Sequence, residues 1–533
     1  MAKPSLLRSG TALSLLTMAS RVLGLFREMT KAAFLGTSAL SDAFSVAFLI
    51  PNLFRRLFAE GSIAVAFIPT LKEHLLEDDR EKTKEFVSCM ITVLTFFVSL
   101  AVIAGIILCP LLIRFFGLEI DETPLSGVTS VFDETVFLTR FMFPFLAFIS
   151  IAALFQGMLN SAHVFAPSGL APILLNLVTI AAAYLLSPFT KNPARAMAIG
   201  ILSGGFLEAA IQFPFVLKTG FRFAVTGICR ALKNPGTRKV LRLIGPTIIG
   251  MAAYQLNDLV STVLAGNAGE GVISSLQYSL RLQELMLGVF AVSIGTVLLP
   301  DLAEQAKLGR WDLYNKRLGG AMDIIAIISV PITFFFLAQG DTLIRFLFQT
   351  RSFDDVSVAL THSAFVYHMP GLFFIALNRI LAPAFYAQSD TRSPVLAGIL
   401  SFALNMILAV LLVGPMSGSG IALALTVGST ANTALLLVFL GRNPNIAVGR
   451  ALGPAFRYVL KLAAFSVAAA VPVVVFSPGL NGFFAEISAN RFIRYGLPLA
   501  IEGAVFAAVG ITLLAVTGDR QLKALMGVFK RRG

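Results

Sequence analysis

Mainly apolar stretches of about 20 residues, the length that crosses a bilayer as a helix, follow one another along the whole chain with short polar breaks between them. They predict fourteen spans, at residues 11–36, 38–72, 85–116, 133–159, 167–189, 195–217, 240–266, 271–300, 318–339, 356–387, 393–413, 418–440, 455–477 and 494–517. No stretch between them is long enough for a soluble domain. Several spans exceed the bilayer thickness, which requires tilt, kinks or helix protruding into water. Pro51, Pro69, Pro300 and Pro383 are the candidate kink sites, because proline removes a helix hydrogen bond. The start, "MAKPSLLRSGTALSLLTMAS", is basic and then apolar, and the pattern continues past Arg21 and Arg27, so it reads as a retained first span and not a cleaved signal. The fold class is an all-α polytopic membrane protein with 14 transmembrane helices.

Composition agrees with that pattern. Of 533 residues, 56% are hydrophobic and 13% charged, which excludes a soluble globular protein. The net charge of +13 changes the picture only through its placement. With the N-terminus cytoplasmic, the even number of spans returns the C-terminus to the same side. The connections on that side then carry most of the lysine and arginine, including Lys72, Arg80, Lys82 and Lys84, the "RALKNPGTRKVLRL" cluster, and Lys530, Arg531 and Arg532. The opposite side carries few, among them Lys191, Arg195, Arg345 and Arg351, and its loop "GLEIDETPLSGVTSVFDE" is acidic. This is the positive-inside asymmetry, and it accounts for the basic balance without nucleic acid. Cys89, Cys109 and Cys229 lie too far apart for metal-ligand spacing, and His74, His163, His362 and His368 form no zinc pattern. A metalloenzyme is not expected, and no cofactor is implied.

The chain also repeats itself. In "GSIAVAFIPTLKE", Ser62, Ile63, Pro69, Leu71 and Glu73 line up with Ser293, Ile294, Pro300, Leu302 and Glu304 of "VSIGTVLLPDLAE". A weaker echo sets "APSGLAPILLN", ending at Asn176, beside "TRSPVLAGILSFALN", ending at Asn405. Spans 1–6 and 7–12 thus form two related six-helix lobes, residues 1–217 and 218–440, with the last two helices and a cytoplasmic tail in 441–533. Two halves about a shared axis are the architecture of an alternating-access transporter.

Four charges interrupt the first span in "SRVLGLFREMTK". Arg21 lies ~15 Å into the span and Arg27 ~9 Å beyond it, Arg55 lies ~20 Å below Asp42 in span 2, and Arg281 lies ~15 Å from the end of span 8. An arginine facing lipid at the bilayer centre costs roughly 2.5 to 3.5 kcal/mol, so these side chains face a polar cavity or partners. Glu28, seven residues after Arg21, Glu60, four after Arg56, and Glu284, three after Arg281, are the local acids. For Glu60 and Glu284 a plain interhelical salt bridge is an equal alternative, but for Arg21, Arg27, Arg55 and Arg281 the acids are too few. A cationic pocket for an anionic substrate follows, and arginine's planar fork suits phosphate or pyrophosphate. Other buried polar residues, Arg140, Glu208, Asp258, Asp323, Asn405 and Glu502, rank behind these as ion or proton sites, because such residues more often form interhelical hydrogen bonds.

The segments "SRVLGLFRE", "SDAF", "PNLFRRLFAEGS", "AFIPTL", "GTVLLP" and "LAPAFYAQSDTRSP" resemble the signature segments of the MurJ (MviN) family of lipid II flippases, in the multidrug/oligosaccharidyl-lipid/polysaccharide exporter superfamily. The resemblance runs from about residue 11 to residue 440. It implies two six-helix lobes forming a V-shaped cationic central cavity, with the last two helices lining a groove for a lipid tail. It implies lipid II, an undecaprenyl-pyrophosphate-linked disaccharide pentapeptide, as substrate, moved from the inner to the outer leaflet of the bacterial cytoplasmic membrane for peptidoglycan synthesis. Carried over by motif, Arg21, Arg27, Arg55 and Arg281 match arginines the family requires, and Asp42 and Glu60 match family positions. Two departures stand out. Leu280 occupies the place of an aspartate often found before the eighth-helix arginine. Asn405 fits the sodium site of some members, but Ala409 stands one turn on where an acid or amide would help, and Asp258 on the seventh helix is the compensating candidate. Asp258 and Asn405 are thus the candidate ion site, and sodium or proton coupling stays open. The rival readings are a flippase for another polyprenyl-linked oligosaccharide, such as an O-antigen or capsule unit, a drug exporter, which the arginines argue against, and a polyprenyl-phosphate glycosyltransferase. That last needs an acidic metal-binding motif, and "KEHLLEDDREK" has no DxD. The expectation is a monomeric transporter and not an enzyme, its partners being lipid II and membrane lipids.

Overall fold

The computed structural model describes residues 6–57, 66–77, 79–116, 130–446 and 448–523. These are helical almost throughout: α1 (Leu6–Leu35), α2 (Ala39–Arg55), α3 (Ile68–Leu76), α4 (Arg80–Phe115), α5 (Val131–Met142), α6 (Phe145–Ser161), α7 (Ala166–Leu186), α8 (Pro193–Lys218), α9 (Ile228–Lys233), α10 (Pro235–Gly266), α11 (Val272–Lys307), α12 (Trp311–Phe348), α13 (Asp355–His368), α14 (Gly371–Tyr386), α15 (Arg392–Met416), α16 (Gly418–Leu440), α17 (Val448–Ile487) and α18 (Leu497–Val516). No strand occurs among the described residues. Every segment read from the apolar pattern overlaps described helix, 38–72 taking in α2 and α3, 133–159 α5 and α6, and 356–387 α13 and α14. Among the described residues, nine helices are long and apolar enough to cross a membrane, or ten if the pair α13–α14, bent by 47°, is one span. The charge-bearing helices α1, α2, α10 and α11 are not among those nine. The chain is a polytopic, all-helical membrane protein.

The helices face lipid with apolar side chains and pack inward with another apolar face. On α4, Leu100, Ile103, Ile107 and Leu111 stand exposed at helical spacing, while Val98, Val102, Cys109 and Ile113 are buried on the other side. Exposure of this kind in water would mark an interaction surface; on a spanning helix it is the surface that meets acyl chains.

Most of the prolines singled out as kink sites lie within their helices and do not end them. Pro51, Pro300 and Pro383 lie inside α2, α11 and α14, and Pro69 sits in the first turn of α3, where its missing N–H is harmless. The break between α13 and α14 falls at Met369 and Pro370, which leaves carbonyls of the preceding turn without their helical donors. Side chains of neighbouring helices supply them: Gln283 donates to the carbonyl of His368 and Thr426 to that of Tyr367 at 2.6 Å, while the Met369 carbonyl accepts from the Leu372 N–H at 3.0 Å and from Thr333 at 3.4 Å. A broken helix is tolerated in a membrane when such groups satisfy it.

By contacts the chain divides into two compact units, Met1–Ser274 and Ser275–Gly533. The first has a core of Leu35, Phe44, Met142, Phe145, Met197 and Ile201, where α2, α5, α6 and α8 meet. The second has a core of Leu372, Leu377, Ile380, Leu381, Phe385 and Leu436. The packing also repeats: α7 lies along α8 and α6 against α8 in the first unit, as α15 lies along α16 and α14 against α16 in the second. The repeat read from the sequence places α10 at the head of the second half, whereas its contacts with α2, α3, α4 and α9 lie in the first unit. Sequence repetition and packing describe different things here, and each is internally consistent.

Candidate functional site

α1 is held along α7, and the turn carrying Arg21 is pinned there: Asn176 Nδ2 donates to the Ser20 carbonyl at 3.2 Å. Arg27 pairs with the adjacent Glu28, Nη2 to Oε1 at 2.9 Å, and its guanidinium carbon lies 5.7 Å from the centre of the Phe48 ring on α2. Both side chains of the pair are under 20% exposed, at 17% and 15%, so the ion pair is shielded and stronger than a surface one. The Glu28 carboxylate thus meets its neighbour in sequence. Lys31, one turn beyond Arg27, is buried and donates Nζ to Ser45 Oγ on α2 at 2.5 Å.

On α2, Arg55 Nε donates to Asn52 Oδ1 at 2.7 Å, which orients the guanidinium. Arg56 reaches α10, with Nη1 at 3.0 Å from Asp258 Oδ2 and 3.2 Å from Gln255 Oε1. Glu60, expected beside Arg56, lies outside the described residues. Arg281 pairs with Glu284 at 3.1 Å, as its spacing indicated. The Arg56–Asp258 and Arg281–Glu284 pairs are each a third or more exposed, which limits either to at most about 1 kcal/mol.

The most elaborate polar structure joins the beginnings of α2 and α11. Gly271 precedes α11 and has no side chain with which to cap it. Asp42, from the first turn of α2, takes that role from across the sequence: Oδ2 accepts from the Gly271 N–H at 2.7 Å, and Oδ1 from the Ser274 N–H at 2.8 Å and the Ser274 hydroxyl at 2.5 Å. Ser41 Oγ is 2.8 Å from the same hydroxyl. In return, Glu270 Oε1 accepts from the N–H of Ala39, the first residue of α2, at 2.8 Å. Each helix start is therefore capped by a carboxylate from the other, which satisfies orphan N–H groups and opposes the positive end of each dipole. The fit is close. Gly271 has φ +79°, and a Cβ there would come within 2.2 Å of the Thr37 carbonyl oxygen.

The candidate ion residues are placed as follows. Asp258 has the Arg56 guanidinium on its carboxylate. Asn405 is buried where α15 packs on α16, close enough that a Cβ on Gly428 would lie 2.9 Å from its own, and Ala409 beside it is fully buried. Among the described residues no three His, Cys, Asp or Glu side chains come together as a metal-binding group. Lys31, Asn176, Gln255 and Glu270 join the site without having been singled out by sequence. Only Lys31 had a signal, as a charge inside an apolar run; the others are recognised by partners more than 150 residues away.

Repeated long apolar helices make the chain a polytopic membrane protein, and its fold is like that of solved members of the multidrug/oligosaccharidyl-lipid/polysaccharide exporter superfamily. It is similar to an inward-facing MATE-family multidrug transporter of that superfamily, with TM-score 0.66 at 14% identity over 83% of this chain and 99% of the other. It is more similar to a solved structure of lipid II flippase MurJ in an inward closed conformation, with TM-score 0.76 at 22% identity over 95% of this chain and 98% of the other. The sequence narrows the assignment. The family model "Lipid II flippase MurJ" matches residues 31–490, and the "Probable lipid II flippase MurJ" of Treponema pallidum (strain Nichols) is 42% identical over 99% of both chains. The "Lipid II flippase MurJ" of Burkholderia cenocepacia is 34% identical over 82% of this chain and 84% of its own. The chain belongs to the MurJ lipid II flippase family.

Proposed function

We propose that this protein moves lipid II, the polyprenyl-pyrophosphate-linked peptidoglycan precursor, from the inner to the outer leaflet of the bacterial cytoplasmic membrane, with both termini cytoplasmic. What supports the reading is the placing of arginines within long, largely apolar helices, Arg21 and Arg27 on α1, Arg55 on α2 and Arg281 on α11, in a chain of this family. A pyrophosphate is doubly anionic or more, and an arginine fork binds two of its oxygens at once. No bond of the substrate is made or broken in this role; the protein supplies a polar path for a headgroup that the bilayer core excludes.

In the proposed orientation the starts of α2 and α11 lie at the outer face, so the reciprocal caps of Asp42 and Glu270 act as a latch there. Hydrogen bonds to a charged acceptor contribute about 1.5–3 kcal/mol each. That figure is already net of exchange with water, so the four bonds of the two caps together favour the closed form by roughly 6 kcal/mol or more. A substrate with differential affinity for the open form can overturn a preference of that size.

The reading is tested by depleting the protein in its host and measuring lipid-linked precursor separately in each leaflet. Precursor should accumulate on the cytoplasmic side and return to the outer leaflet when the gene is restored. Undiminished delivery to the outer leaflet in depleted cells rules the function out.

A further inference from the structure

The last helix carries an acid where its packing calls for an apolar residue. α18 buries a stripe of Pro498, Glu502 and Phe506, four residues apart, while Ile501 and Val505 between them are exposed on the lipid side. Phe506 packs against Phe335 of α12, ring centres 5.2 Å apart, and with Ala469 and Val473 of α17. One turn from that cluster, Glu502 is 2% exposed, and neither of its carboxyl oxygens accepts a hydrogen bond. The polar side chain beside it is Ser477 of α17. Ser477 Oγ already accepts from Asn481 Nδ2 at 3.1 Å, and Asn481 Oδ1 is itself buried without a donor. Glu502 and Asn481 thus each keep buried oxygens without a donor among the described residues, and Ser477, which stands beside Glu502, has a single hydroxyl hydrogen to give.

The charges on the surrounding elements are engaged elsewhere. Lys461 of α17 bonds Asp519 at 2.8 Å, and Glu486 is exposed at the far end of the same helix. Arg345 of α12 is paired with Asp341 and Asp355. Arg491 donates to the carbonyls of Leu347 and Gln349, and Arg494 lies over the ring of Tyr495. Asp323 of α12 accepts from Gln521 at 2.9 Å. A carboxylate at Glu502 would thus be a buried charge with neither cation nor adequate donors, the arrangement a membrane interior tolerates least.

We infer that Glu502 is a proton-binding site: the α17–α18 pair is closed around the neutral carboxylic acid, and the proton supplies both the missing donor and the missing positive charge. A proton suits the pocket better than a metal cation, because one carboxyl, one amide oxygen and one hydroxyl on two helices make too sparse an oxygen shell for a hard ion. The equilibrium is a simple dissociation, carboxylic acid to carboxylate and free proton. It is linked to packing: the carboxylate is stable only when α17 and α18 part enough to admit water, so acid favours the closed pair and base the open one. This inference stands apart from the identity of the transported lipid.

The test is infrared spectroscopy of the full chain in liposomes. A carbonyl stretch of a protonated carboxylic acid should be present at neutral pH, be lost in Glu502→Gln, and shift in position in Glu502→Asp, which keeps the acid. In the unaltered protein that band should survive through neutral pH and disappear on alkalinisation. Absence of the band at neutral pH, or its persistence unchanged in both variants, overturns the proposal. Loss of the band on adding sodium at constant pH overturns it in favour of a metal cation on the same carboxylate.

Discussion

The arginines differ in what surrounds them, and the difference decides which substitution is informative. Removing Arg281 breaks a solvent-screened pair worth at most about 1 kcal/mol, so Arg281→Ala should insert and accumulate normally yet fail to support growth when it is the only copy. Arg27 is another matter, because its loss removes the direct partner of a shielded carboxylate, at a cost of about 1–3 kcal/mol. There the double change Arg27→Ala with Glu28→Gln separates substrate binding from folding. Normal growth on either variant, with abundance confirmed by immunoblot, removes that arginine from the substrate site. At Arg21, lysine keeps the charge but not the fork; Arg21→Lys should retain partial transport while Arg21→Ala and Arg21→Gln retain none. Equal rates for all three show that Arg21 neither binds phosphate nor sets the local field. These positions were legible in the sequence because a charge inside an apolar run contradicts its surroundings. Their partners were not. Asp258 and Gln255 meet Arg56 across about 200 residues, and Asn176 meets the Ser20 carbonyl across more than 150, so no local pattern announces either contact.

Among the elements, the starts of α2 and α11 show how little of a cap is local when helices cap one another. α2 has an ordinary N-cap in Ser38, whose side chain accepts from the Ser41 N–H, and this is readable from the sequence alone. α11 begins after a glycine, and its acceptor, Asp42, arrives from another helix. A helix start with no capping residue of its own is the signal that an external one is needed, but it does not say which. The same glycine supplies a test. Gly271→Ala combines a left-handed backbone with a Cβ driven into the Thr37 carbonyl, whereas at Gly309, with φ +66°, a Cβ would meet nothing within 4 Å. Gly309→Ala should cost only the backbone strain, about 1–2 kcal/mol, and leave transport intact. Gly271→Ala should lower the melting temperature in detergent further than that and loosen the join between the two helix starts, seen as faster amide exchange at residues 39–45. Equal shifts for the two variants mean that the contact at Thr37 contributes nothing.

At the scale of the whole molecule, helix positions and the internal repeat follow from apolar periodicity, but a conformational cycle depends on which long-range contacts are meant to break. The reciprocal caps are the candidates, because two backbone N–H groups and a hydroxyl on one carboxylate hold the joint, and all can be handed to water. Ser41 and Ser274 stand in that joint with their hydroxyl oxygens 2.8 Å apart. Cysteines at both positions would bring two thiols close enough for a disulfide, whose sulfurs lie about 2.05 Å apart. Cys89 and Cys109 are buried, so only the exposed Cys229 needs replacing to keep the chemistry at the joint. Oxidation of the Ser41→Cys, Ser274→Cys protein should lock the starts of α2 and α11 together and stop delivery of precursor to the outer leaflet. Reduction should restore it, and each single-cysteine protein should be indifferent to oxidant. A protein shown by gel shift to be fully crosslinked, yet still transporting at the rate of its reduced form, would mean that the caps hold the fold together without gating it, and the outer opening would then have to be sought at another pair of helices.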